Sequence, residues 1–141
     1  MNQKSVLGKE DAERAVRAIM DEASKEPERP VSVAVVDDKG DLLYFVRCNI
    51  LDRGALLATY MPVQKAYTAA RMGVDTRSFQ EMFKNRGWDI AWFGDSKLTL
   101  LPGGVPVITA EGTVIGAVGV GGRKVEEDQA LAEIGVKAIG V

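Results

Sequence analysis

Histidine is absent from this chain, and cysteine occurs once, at Cys48. The first absence removes the commonest metal ligand and the commonest general acid–base group, and with them every Ser–His or Cys–His catalytic pair. The second rules out an internal disulfide and leaves any thiolate metal cluster short of ligands, which fits a reducing compartment. Neither sign of charge dominates. The 18 basic and 20 acidic residues leave a net charge of −2, so no broad basic surface speaks for nucleic acid. No apolar run approaches the roughly 20 residues of a membrane helix. Met1-Asn2-Gln3-Lys4 opens onto no signal-peptide core. The expectation is a soluble cytoplasmic protein that contacts neither nucleic acid nor membrane.

What is present suits one domain over residues 1–141, since 46% of the residues are hydrophobic and a chain of this length can bury a proper core. From Lys9 to Lys25, the apolar residues Ala12, Ala15, Val16, Ile19, Met20 and Ala23 recur at helical spacing, with Gly8 as N-cap. Val31–Val36 and Leu42–Val46 are nearly continuous apolar runs around the turn formers Asp37–Asp41. They read as an antiparallel hairpin covered on both faces. Helical character returns from Ala55 to Gly73, where Pro62 either starts the regular helix or kinks it. Thr76 reads as the N-cap of a short helix over Arg77–Asn85. The segment Trp88–Leu101 reads as an irregular lid or wall. A second hairpin, Val105–Ala110 with Thr113–Val120, turns at Glu111-Gly112, and a last helix opens on Glu126, Glu127 and Asp128. The predicted fold class is α+β, a profilin/PAS-like antiparallel sheet flanked by helices.

Lys65 is the residue most at odds with its surroundings. At about 100° per residue it shares a stripe with Ala58, Met61, Thr68, Ala69 and Met72. A cation there either lies along the sheet with its head in water or meets a ligand in a cavity. In the second case desolvation disfavours the ammonium and frees a nucleophilic amine. Pro102-Gly103-Gly104 either presents main-chain N–H groups to a carboxylate or oxyanion, or is a plain turn into the next strand. Arg47 and Asp52 flank an irregular link and either clamp a polar ligand or pair with each other. Gly116–Gly122 imitates a dinucleotide loop, but a hairpin followed by a helix is the wrong context. Glycines there let a helix pack closely on the strand.

Val33-Ala34-Val35-Val36-Asp37 with Gly40, Arg47, Asp52, Lys65-Ala66-Tyr67-Thr68-Ala69, Leu101–Pro106 and Gly112–Val120 together resemble the GlcG/HbpS family, which includes the C-terminal domain of PduO and is labelled haem-degrading. The resemblance covers nearly the whole chain. It implies a profilin-like fold, homo-oligomers of dimer size or above and, in several members, haem or tetrapyrrole binding. The chain departs from its relatives in having no histidine and in a short insertion over Cys48–Leu51, so histidine-ligated haem does not carry over. An axial ligand would be Lys65, a tyrosine such as Tyr60, a methionine or Cys48.

These readings give a first expectation: an oligomeric protein binding a small organic anion or planar cofactor between the Lys65 helix and the 102–104 loop. Lys65 is the expected catalytic residue, with Arg47, Asp52, Met61, Thr68, Pro102, Gly103 and Gly104 as ligand-binding residues and no metal. If chemistry occurs, lysine with main-chain donors suits isomerase- or lyase-type steps on an oxo-acid, the two glycines facing an enolate oxygen and Arg47 orienting the substrate. The rival readings are a non-catalytic haem or tetrapyrrole module and a structural assembly subunit built on the two-faced helix from Leu56 to Tyr67.

Overall fold

The computed structural model of the protein describes residues 6–48 and 54–141, with residues 54–58 as backbone only. The elements are α1 (Lys9–Ala23), β1 (Ser32–Asp37), β2 (Leu42–Val46), α2 (Gly54–Met72) and α3 (Thr76–Arg86), then a 3-10 turn (Ile90–Phe93), β3 (Gly104–Ile108), β4 (Val114–Gly121) and α4 (Val125–Ile139). The strands form one antiparallel sheet in the order β2-β1-β4-β3. This is the α+β antiparallel architecture expected, with helices on both faces, but of the two hairpin strands expected to be covered only β1 is buried: the edge strand β2 leaves Leu42 51% and Leu43 37% exposed.

Strand alternation divides the core. Val33, Val35, Val118 and Val120 face α1 and α4, where Ala12, Ala15, Ile19, Leu131 and Ala132 meet them. Ala34, Val36 and Ala117 face α2 through Ala66, Ala69 and Ala70. Small residues on both sides bring α2 unusually close to β4. A Cβ on Gly119 would run into the Pro62 carbonyl oxygen and the Ala66 nitrogen. Gly116–Gly121 is therefore strand, not phosphate loop.

Pro62 lies inside α2 and does not start it. The cap of α3 is Asp75, whose carboxylate accepts from Ser78 N at 2.9 Å, and not Thr76. Thr76 is fully buried, because its hydroxyl is needed one layer deeper, at Gly104. No helix among the described residues is long and apolar enough to cross a membrane.

Candidate functional site

Lys65 points inward from α2 and is 3% exposed. Its Nζ donates to Val120 O at the end of β4 and to Asp128 Oδ2 in the first turn of α4, both at 2.9 Å. Asp128 is buried, and its second oxygen accepts from Arg123 N at 3.0 Å. Burial pushes the Asp128 carboxyl above its ordinary range. The Lys65 charge, the Lys65 hydrogen bond and the Arg123 N–H pull it back only in part.

The 102–104 loop closes over the lysine stem. Gly103 has φ +131°, and a Cβ there would stand 2.8 Å from Lys65 Cδ and 2.9 Å from Nζ. Gly103 N donates to Gln129 Oε1 at 3.0 Å, and Gly104 N donates to Thr76 Oγ1 at 2.9 Å. Lys65, Gly103 and Gly104 are thus brought together, but their polar groups are committed to one another's supports. The two N–H groups expected to face an enolate oxygen already have acceptors, and the amine expected to anchor or deprotonate a substrate is an ion-pair partner. No buried side-chain nitrogen or oxygen among the described residues lacks a hydrogen bond.

The other expected site residues are dispersed. Thr68 is fully buried, where Oγ1 donates to Gln64 O at 2.8 Å and accepts from Thr99 N at 2.9 Å. Met61 is half-buried, Pro102 is buried, and Arg47 is exposed just past the end of β2. Asp52 lies outside the described residues. Of the aromatic residues in the expected wall, Trp88 and Phe93 pack with Phe79 and Phe83 of α3 in a ring cluster, with Phe83 and Phe93 centroids 4.9 Å apart, while Trp92 is 68% exposed. Asp128 and Gln129 escaped sequence reasoning, since three acids at a helix start are accounted for by the dipole alone. Only the contact with Lys65, 63 positions away, gives Asp128 its role, and only the contact with Gly103 gives Gln129 its own.

On another face of α2 lies an open cleft of about 520 Å³. It is bounded by Leu42 and Phe45 of β2, Thr59, Tyr60, Val63 and Gln64 of α2, and Ser96 and Lys97 after the 3-10 turn. Its lining is mostly apolar, and Tyr60 at its wall is 63% exposed. One turn along α2 from Val63, the Tyr67 phenol donates to Asp95 Oδ2 at 2.6 Å, and its ring carries the Lys97 ammonium 5.4 Å from the centroid. The shared proton raises the Tyr67 phenol above its ordinary value and lowers the Asp95 carboxyl. The sequence signal for this face is the two-faced apolar character of the helix from Leu56 to Tyr67, which by itself reads as an assembly surface.

Residues 7–137 match the family described as haem degrading protein HbpS-like. The chain is similar to protein GlcG of Escherichia coli strain K12, with 39% identity over 120 residues, 85% of this chain and 84% of that protein. Among solved structures, a double mutant of HbpS from Streptomyces reticuli superposes with a TM-score of 0.83 at 27% identity, covering 100% of this chain and 92% of that one. The PduOC:heme complex superposes with a TM-score of 0.82 at 25% identity, covering 96% of each chain.

Proposed function

The chain belongs to the HbpS-like family of haem-degrading proteins, and from that premise we propose that it is a small-molecule-binding protein whose ligand is a flat tetrapyrrole of the haem class, seated in the cleft between β2 and α2. The observation that carries this reading is the cleft. Its volume falls within the roughly 300–1,000 Å³ of small-molecule sites, and its walls are apolar with a few polar groups at the edge. The residues fit such a guest. Leu42, Phe45 and Val63 offer apolar contact, the Tyr60 phenol offers an oxygen donor, and the Lys97 ammonium offers a cation for peripheral carboxylates. Bound there, haem would supply a redox-active iron. The chain's own part is to desolvate the macrocycle, orient it and neutralise its acidic edge. The solved heme complex of PduOC, with a similar fold, supports the class of ligand.

Lys65 takes a different role in this reading. With Asp128, Gln129 and Thr76 it holds the 102–104 loop against the ends of β4 and α4 and so keeps α2 seated on the sheet. Self-association belongs to the same proposal, supported by the exposed surface of Trp88, Trp92 and Phe93, the second of them 68% exposed. Sedimentation equilibrium is expected to show a dimer or larger species, and a monomer at high concentration would contradict it.

A haemin titration followed in the Soret region tests the ligand. The wild type is expected to saturate, and Leu42→Asp, an exposed position at the cleft wall, to bind about tenfold more weakly or worse because a charge must then be covered by an apolar ring. Absence of saturable binding by the wild type, or an unchanged affinity in Leu42→Asp, would place the ligand elsewhere.

A further inference from the structure

Resting on that reading, we propose that Tyr60 is the residue that coordinates iron in the cleft, and that its phenolate makes the site selective for ferric over ferrous haem. The chain has no histidine, so the usual axial ligand is unavailable. The geometry removes most of the substitutes. Lys65 is buried in its ion pair with Asp128. Cys48 is buried, with its Sγ accepting from Ser32 Oγ at 3.2 Å and its own N–H donating to that hydroxyl. The Tyr67 phenol is held by Asp95, and Tyr44 packs on the opposite core, beneath α1 and α4. Tyr60 differs from all of these. Its ring is largely exposed, and it forms part of the cleft wall.

The chemistry follows from the donor. A phenolate is a hard, anionic oxygen, which favours the higher iron charge, as in haem proteins ligated by tyrosine. Coordination would form one oxygen–iron bond as the phenol O–H bond breaks, with the proton and the water or hydroxide displaced from haemin passing to solvent and the iron ferric throughout. Reduction of the iron by an added one-electron donor removes the charge that the phenolate stabilises and weakens the bond. Lys97 is assigned no bond to the iron in this scheme, since its ammonium lies over the Tyr67 ring, 5.4 Å from the centroid, and would meet the macrocycle's carboxylates as a cation.

The test compares haemin with iron-free protoporphyrin IX on the wild type and on Tyr60→Phe. Wild type with haemin is expected to show a phenolate-to-iron charge-transfer band and a high-spin ferric resonance, both diminished on dithionite reduction. Tyr60→Phe is expected to lose the band and to bind haemin about tenfold more weakly or worse, while binding protoporphyrin IX as the wild type does. That second ligand also reports that the variant is folded. If the wild type binds neither porphyrin, the cleft assignment and the Tyr60 assignment both fall. If it binds both and Tyr60→Phe keeps the band and the haemin affinity, the tyrosine assignment alone is overturned.

Discussion

A lysine ammonium and an aspartate carboxylate, 3% and 2% exposed as side chains, are held 2.9 Å apart in the interior. Such a pair roughly breaks even against apolar residues of the same size, yet removing one partner strands a buried charge at a cost of about 3–5 kcal/mol. Lys65→Met and Asp128→Leu are each expected to lose that much in urea denaturation, and the double variant to recover most of it. Additive losses would show that the two groups are not coupled. The pH dependence has a definite sign. In Lys65→Met the Asp128 carboxyl, already raised by burial, loses its main countercharge. The folded state then binds its proton more readily than the unfolded state, so the deficit is largest at neutral pH and shrinks as the pH falls through the raised folded value. Gly103 belongs to the same cluster. At φ +131° a side chain is strained, and its Cβ would press on Lys65, so Gly103→Ala is expected to cost about 1–3 kcal/mol.

Helix α2 is fastened to the rest of the protein in two ways. Along the sheet it is close packing. Gly119→Ala would drive a methyl group into main-chain atoms of α2, which cannot rotate aside, and is expected to cost about 1–3 kcal/mol by chemical denaturation. Toward the 3-10 turn it is the hydrogen bond from Tyr67 to Asp95. Because Asp95 is lowered and Tyr67 raised, the bond contributes above the ordinary aspartate range and below the ordinary tyrosine value near 10. It is lost as acid protonates Asp95 or as alkali passes the raised Tyr67 value. Melting curves of wild type and Tyr67→Phe are therefore expected to differ most at neutral pH and to converge at both extremes. Element boundaries were largely legible. The second strand is Leu42–Val46, as the apolar run beyond the turn formers placed it, and the first helix ends two residues before the expected Lys25. The Thr76 cap was misassigned because Asp75 and Thr76 are both good cap formers, and only the fold reveals that the Thr76 hydroxyl is claimed by Gly104.

Across the whole molecule, the two faces of α2 divide the labour. The inner face builds the scaffold and the outer face opens on the cleft. In the sequence Lys65 is out of place among apolar neighbours, and in the structure it is 3% exposed. The sequence did not show that the charge is answered by Asp128, because residues 65 and 128 meet only through the three-layer arrangement of α2, the sheet and α4. It also showed α2 to be apolar on two sides, without revealing that β2 and the 96–97 turn leave an open trough beside the second. Spacing within one element is readable from a chain, whereas the partner supplied by another element is not.

Amide and methyl chemical-shift mapping with diamagnetic zinc protoporphyrin IX tests the location of the ligand site most directly. The expected result is a saturable set of shifts confined to Leu42, Phe45, Tyr60, Val63 and Lys97, with Lys65, Gly103 and Asp128 unmoved. Shifts centred on Lys65 and residues 102–104 instead, or none at all, would contradict the assignment of the cleft.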